Sequence, residues 1–315
     1  MNILVYGTGV QGSYLAHVLV KGGHDVTVLA RGKRAEELEQ EGLVIRHYLQ
    51  RKTTVDQVRV IRRLESGDAY DLIFVMMKYS DFGAVLPTLA ENVSRHIVLV
   101  GNNMDTHTMQ DHLNKHGQPP KQVAFGFQTT AGTRTDGRVI CIRGGHGGMV
   151  IGGLNGPIPF RSLLEQAFTR TKYKLSYHDQ IDAWLKNHMV LIVPMIMVIL
   201  FHSFQMKQVA RDNKRMRQLV AAMGEGFRVL ESLGYPLTPA IQASWITRYP
   251  NFIRQALKIF FMLPVSRLID GTAVELTALN EAFAEWRARS DVPTPNWDAL
   301  ENDWVIQSCK SLGAR

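Results

Sequence analysis

The opening residues constrain the chain more than any other stretch. Asn2-Ile3-Leu4-Val5-Tyr6 has the apolar character of a short buried strand and runs straight into Gly7-Thr8-Gly9-Val10-Gln11-Gly12. Leu15, Val18 and Leu19 then recur at the spacing of a helix facing a sheet. A G-x-G-x-x-G run held between a strand and a helix is the fingerprint of a dinucleotide-binding turn. Gly7 permits the tight turn, Gly9 lets the backbone approach a pyrophosphate, and Gly12 lets helix and strand pack closely. The free N–H groups at the helix start meet the anion. A second strand, Asp25-Val26-Thr27-Val28-Leu29-Ala30, follows about 20 residues on, as the motif requires. Gly7, Thr8, Gly9, Val10, Gln11 and Gly12 are therefore candidate cofactor-binding positions.

The end of the second strand chooses between cofactors. NAD sites place an acid there for the ribose hydroxyls, whereas this strand ends in Arg31-Gly32-Lys33-Arg34, with no acid before Glu36. Cations at this place suit the 2′-phosphate of NADP, and an arginine fork matches phosphate oxygens. NADP, bound through Arg31, is the expectation, against the plainer reading of a solvated basic loop.

Beyond this unit, strand and helix patterns alternate through the first half. Asp71-Leu72-Ile73-Phe74-Val75-Met76-Met77 and His96-Ile97-Val98-Leu99-Val100 are continuous apolar runs, as expected of strands covered on both faces. Helical patterns cover 33–41, 82–92 and 104–115, and 122–127 returns to strand. Such alternation predicts a doubly wound, mostly parallel sheet. Val139–Arg143 and Gly148–Gly152 resemble a glycine-joined strand pair closing a domain, and Asn155-Gly156-Pro157-Ile158-Pro159 a linker. Long helical patterns follow at 160–171, 180–204, 207–233, 239–262 and 274–289, with a last helix after Pro295 carrying Trp297, Leu300 and Trp304. The expected plan is a Rossmann domain over 1–154 and an all-helical domain over 155–315, the cleft between them being the default site.

Charge and cysteine usage narrow the function classes. The net charge is +8, but the basic residues are scattered and form no nucleic-acid module, so an anionic cofactor and substrate account for them more simply. Cys141 and Cys309 are too few for a disulfide framework or a metal site, and a reducing cytosol is expected. No signal-type segment precedes the strand at residue 2. Met189–Phe201 is strongly apolar yet shorter than a membrane span, which makes it a core helix or a homodimer contact.

Ligands of open α/β sheets lie beyond the carboxyl ends of the strands. Lys78 ends DLIFVMMK there, and Asn102 and Asn103 end HIVLVGNN; each either faces a ligand or is polar for solubility alone. Lys186 enters the long apolar helix, where partial desolvation suits a proton donor and snorkelling is the bland alternative. Glu275 begins a helix, a place that favours acids in any case.

Taken together, these residues resemble the ketopantoate reductase (2-dehydropantoate 2-reductase) family over nearly the full length. The resemblance is carried by GTGVQG, Arg31, Lys78, GNNMD, Trp184-Leu185-Lys186, Glu275 with Asn280, and Val292-Pro293-Thr294-Pro295-Asn296. It implies a 6-phosphogluconate dehydrogenase-like arrangement of Rossmann and helical domains, and hydride transfer from NADPH to the keto carbon of a 2-oxo acid, as in pantothenate biosynthesis. By the same resemblance Lys186 is the general acid and Glu275 binds the substrate hydroxyl, while Asn102 and Lys78 lie beside nicotinamide and substrate. The family's two helical Asn residues after the lysine are here Val190 and Pro194, Asn103 replaces its turn glycine, and its Ser before the acid is matched loosely by Ser266. Losing those amides costs affinity for a polyhydroxylated substrate, on the order of 1 kcal/mol or more each. A more apolar substrate is expected; an opine-type or other carbonyl or imine reductase and a non-catalytic NADP-binding regulator are the alternatives.

Overall fold

The structure, a computed structural model, describes residues 1–269 and 271–313, with side chains to residue 307; the Cys309 side chain lies outside the described residues. The chain divides into two compact units, Met1–Asp182 and Ala183–Arg315.

In the first unit β1 (Asn2–Tyr6), α1 (Val10–Lys21) and β2 (Asp25–Leu29) form the opening strand–helix–strand, followed by α2 (Lys33–Glu41). Then come β3 (Leu43–His47), β4 (Lys52–Asp56), β5 (Arg59–Ile61), β6 (Leu72–Met76), α3 (Tyr79–Glu91), β7 (His96–Val100) and α4 (Thr106–His116). The unit continues with β8 (Gln122–Gln128), β9 (Thr130–Thr135), β10 (Arg138–Arg143), β11 (Gly148–Gly152), α5 (Arg161–Phe168) and β12 (Lys174–Tyr177). An eight-stranded sheet runs in the order β12-β11-β8-β7-β6-β1-β2-β5. It is parallel except where β11 meets β8. Its central strands are hidden on both faces, with Ile3, Leu4, Val5, Ile73, Phe74 and Val98 inaccessible to solvent. This is the doubly wound sheet that the alternating pattern predicts.

Two expectations change here. β10 and β11 do not pair: β10 lies in a second, four-stranded sheet of order β4-β3-β10-β9, and β11 lies in the large one. The connection turns through left-handed glycines, Gly145 at φ +53° and Gly147 at φ +70°, and a Cβ on Gly147 would stand 2.8 Å from the Tyr14 ring. Tyr14 belongs to α1, which packs against both sheets, so the chain has to pass around it. The domain boundary also falls later than 154, because β12 pairs in parallel with β11 and adds α5 and itself to the first unit. Asn155–Pro159 is thus a loop inside that unit.

The second unit takes up α6 (Ile181–Phe201) from Ala183 onward, then α7 (Met206–Arg211), α8 (Asn213–Ser232), α9 (Ala240–Arg248), α10 (Pro250–Met262), a 3-10 turn (Pro264–Leu268), α11 (Ala273–Ala288) and α12 (Pro295–Gly313). The patterns at 207–233 and 239–262 are each two helices. Asp212 ends α7 and caps α8 by accepting from the Arg215 amide at 3.0 Å. Pro250 drives Tyr249 out of helical geometry. α6 is long and apolar enough to cross a membrane, yet 67% of that apolar window is buried inside the protein. Val190, Val193 and Met197 of α6 are solvent-inaccessible, as are Met216 and Leu219 of α8 and Trp297 of α12. The α6–α8 approach depends on Gly226, where an added Cβ would lie 2.6 Å from the Val190 Cβ.

Candidate active site

Register alone gathers the first unit's candidates. Tyr6 pairs with Leu29 on one side and Val75 on the other, and Met76 pairs with Val100. The carboxyl ends of β2, β1, β6 and β7 are therefore level, and the segments bearing Arg31, Gly7–Gly12, Lys78 and Asn102 leave the sheet at one edge.

Each glycine of the turn has a separate geometric reason. Gly7 is left-handed at φ +107°, and a Cβ there would lie 2.3 Å from the Met76 carbonyl oxygen. At Gly12 it would lie 1.8 Å from the Gly7 carbonyl oxygen. Around Gly9 there is open space, with nothing within 4 Å. Gly9 is also the N-cap of α1, with no side chain capping the helix. Uncapped N–H groups beside an open backbone are what an anion such as a pyrophosphate requires, so the turn fits a dinucleotide.

Two arginines serve this turn differently. Arg31 is exposed just past β2, near enough to Tyr6 to offset part of the upward push that burial gives its hydroxyl. Arg34, in the first turn of α2, is buried. It donates to the Thr8 carbonyl at 3.3 Å, the Ser13 hydroxyl at 3.2 Å and the Gly137 carbonyl at 2.7 Å. Burial, then nearby Arg134, lowers the Arg34 pKa, with Glu37 opposing. Arg34 thus holds the turn in place from within. The charge run 31–34 signals basic residues, but only the helical register of α2 shows which one turns inward.

Lys78 is the half-buried N-cap of α3, and Asn102 is half-buried past β7. Between them Gly101 takes φ +154°, a backbone conformation that favours glycine, and a Cβ there would stand 2.3 Å from the Met77 carbonyl oxygen, so the two loops touch through their backbones. Asn103 is buried and accepts from the Asp105 amide at 3.0 Å, shaping the turn into α4. Thr106 of α4 donates to the Asp182 carboxylate at 2.6 Å.

In the second unit Lys186 is buried, its ammonium 4.9 Å from the Tyr235 ring centroid and 5.5 Å from that of Trp286. Aromatic faces favour a cation there, so the ammonium is held by ring quadrupoles in a site with little water. Glu275 is buried in the first turn of α11, where its amide donates to the Thr272 cap at 3.3 Å. Trp286 lies on that same helix, so α11 carries both the carboxylate and one wall of the lysine site. Tyr235 and Trp286 are walls that sequence reading does not find, because nothing local ties them to Lys186.

Other residues of the resemblance are internal ties. Asn280 donates to Glu301 at 2.6 Å and accepts from the Trp297 indole at 3.0 Å, joining α11 to α12. Ser266 donates to the Phe261 and Leu263 carbonyls. Asn296 and Trp297 donate their amides to the buried Glu225 carboxylate, which caps α12. Val190 faces the core rather than any polar pocket, and Pro194, lacking an N–H, leaves the Val190 carbonyl without its helical donor. Among the described residues no group of three or more His, Cys, Asp or Glu side chains is placed to hold a metal.

Comparison with known proteins bears on the fold. Residues 3–156 match the family model of ketopantoate reductase PanE/ApbA. An uncharacterised oxidoreductase, YkpB of Bacillus subtilis (strain 168), is 32% identical over 100 residues, a match spanning 32% of the length of each protein. Among solved structures, a PanE/ApbA family ketopantoate reductase from Ralstonia eutropha JMP134 superposes with a TM-score of 0.76 at 17% identity, covering 98% of this chain and 99% of that one. The 2-dehydropantoate 2-reductase of Methylococcus capsulatus gives 0.69 at 19% identity, covering 99% and 97%. A D-mandelate dehydrogenase with NADH and anilino(oxo)acetate gives 0.76 at 15% identity, covering 98% and 99%. At these identities the superpositions establish the fold, a Rossmann unit followed by a helical one.

Proposed function

We propose that this chain, a member of the ketopantoate reductase family across residues 3–156, is an NADPH-dependent reductase converting a 2-oxo acid to the 2-hydroxy acid in the cytoplasm. The observation that carries the reading is the level strand edge that sets an open, uncapped glycine turn beside the exposed Arg31. That turn takes the pyrophosphate and Arg31 the 2′-phosphate. A bound nicotinamide cofactor supplies the hydride. Lys78 and Asn102 orient the carboxamide and the 2-oxo acid from the neighbouring strand ends. The Lys186 Nζ hydrogen-bonds the keto oxygen and gives it a proton as negative charge develops, a role worth about 10²–10⁴ in rate. Its aromatic walls keep water away and strengthen that interaction. Glu275 accepts from a substrate hydroxyl.

The substrate is expected to carry fewer hydroxyls than ketopantoate, because with Val190 in the core and a proline at 194 this helix offers no side-chain amide at either position to hold them. Similarity to a D-mandelate dehydrogenase supports including aromatic 2-oxo acids in the panel. The test is NADPH oxidation with ketopantoate and with bulkier aliphatic and aromatic 2-oxo acids, for the parent and Lys186→Met. Turnover that Lys186→Met abolishes, with NADPH affinity unchanged, is the expected result. Equal rates in the two proteins would remove Lys186 from the mechanism. Tight NADPH binding without turnover on any acid would leave a regulatory protein, and activity only with a keto acid plus an amine would mark an opine-type enzyme.

A further inference from the structure

The four-stranded sheet comes up to the glycine turn along its edge strand β9. β9 follows the first turn of α1: the Gln11 side chain donates to the Thr130 carbonyl at 3.3 Å, and a Cβ on Gly132 would stand 3.0 Å from Val10 Cγ1. Past the strand the hairpin comes down on α2, where the Gly137 carbonyl accepts from Arg34 at 2.7 Å. Arg134 lies between these two anchors, near the exposed end of β9.

Strand register says which way Arg134 points. Directly paired residues of antiparallel strands share a face. The pairs are Thr130 with Arg143, Gly132 with Cys141 and Arg134 with Val139. Val139, Cys141 and Arg143 are the buried residues of β10, and the Arg143 guanidinium lies 5.2 Å from the Tyr14 ring of α1. Arg134 is therefore on the face turned to α1, two residues beyond the one that meets Val10. Since α1 begins at Val10, the helix no longer covers that face at Arg134, which is exposed where the turn opens. Burial first, then the Arg134 charge, lowers the Arg34 pKa, as expected of a cation on the turn side of the sheet. Glu37, the acid of this corner, is engaged by Arg34 at 3.4 Å and by Lys33 at 3.9 Å. Among the described residues no carboxylate pairs with Arg134. Like charges kept together repel, and a phosphate between them relieves the repulsion.

We propose that Arg134 is a cofactor-binding residue, reaching from the second sheet to the pyrophosphate taken by the uncapped start of α1. The assignment rests on the cofactor reading above. The turn offers backbone N–H groups to the anion, and Arg134 adds a guanidinium fork that matches phosphate oxygens. Arg31 serves a group that NADH lacks, whereas Arg134 serves one that NADPH and NADH share.

The experiment is direct titration of the full chain with NADPH and with NADH, for the parent, Arg134→Ala, Arg134→Lys and Arg138→Ala. Arg138 pairs with Thr135 on the opposite face of the same hairpin, so its loss removes an equal charge from a side that meets no turn. Both arginines are exposed, so circular dichroism and melting should match the parent. Arg134→Ala should weaken both cofactors about 10-fold or more, as for a lost charge-assisted hydrogen bond. Arg134→Lys should recover part of that loss, and Arg138→Ala should bind like the parent. Equal affinity in the parent and Arg134→Ala overturns the inference and leaves the cofactor reading standing. An equal loss in Arg138→Ala overturns it as a diffuse charge effect, and a loss confined to NADPH overturns it by moving the contact to the 2′-phosphate. A parent that binds neither cofactor overturns the inference and the cofactor reading together.

Discussion

Replacing Val190 by asparagine restores the residue type that the family resemblance places four positions after the lysine, and the structure says the protein will not tolerate it. Val190 is solvent-inaccessible and packs against Gly226, where even a methyl group would come within 2.6 Å. The substitution forfeits the burial of a valine, about 1.5–3 kcal/mol. It also buries an amide among apolar neighbours, a further 1–3 kcal/mol by mutational measure. Val190→Asn should therefore cost roughly 3–5 kcal/mol, a substantial part of the stability of an ordinary domain. Thermal unfolding followed by circular dichroism should show a midpoint lower by roughly 10 °C or more. Any fall in activity should track the folded fraction, with KM for the best acid unchanged. A midpoint equal to the parent's, together with an altered KM, would mean that position 190 opens onto a polar pocket, and the core assignment would be wrong.

The glycine turn separates folding from binding: Gly9→Ala, into open space, should melt like the parent yet lose NADPH by calorimetry, whereas Gly12→Ala, 1.8 Å from a carbonyl oxygen, should lose both. Finding Gly9→Ala with full affinity would move the anion elsewhere. Arg31→Ala should weaken NADPH at least about 10-fold in direct titration and leave NADH nearly unchanged, since a phosphate-directed fork acts on one cofactor only; equal losses would refute the assignment. Acid should destabilise the fold. Burial, then His17, Arg143 and Lys52, pushes the His47 pKa down to about 4, and burial alone does the same to His188. Both are neutral in the fold while the unfolded chain takes up protons near the ordinary histidine value, so their contribution is complete above about pH 6.5 and is lost as pH falls towards 4. Urea midpoints should drop from about pH 7 to about pH 5, and less steeply in His47→Gln; parallel slopes would exclude His47.

Legibility in the sequence followed how local each cause was. β1, β6 and β7 are readable because a strand covered on both faces must be apolar throughout. β4 (KTTVD), β9 (TAGTRT) and β12 (KLSY) are not, since their pairing partners rather than their own residues make them strands. The same distinction holds at the site. Strand ends announce Lys78, Asn102 and Arg31, and sheet register then aligns them. Tyr235, in the loop after α8, and Trp286, on α11, flank Lys186 through packing between segments far apart in the chain. Asn280 and Asn296 show the converse: a motif singles them out, and the structure spends them on Glu301, Trp297 and Glu225.

Arg34 and Arg31, three positions apart, divide labour in a way that bears on how such a protein changes over time. Arg34 holds Thr8, Ser13 and Gly137 together, so any change there disturbs the turn itself and is closed to variation. Arg31 lies outside that lattice, where a substitution alters what the chain presents to a ligand without touching how it folds. On the proposed reading, preference for one nicotinamide carrier over the other rests on that exposed position. A laboratory lineage selected on NADH should accumulate replacements at Arg31 while keeping Arg34 throughout.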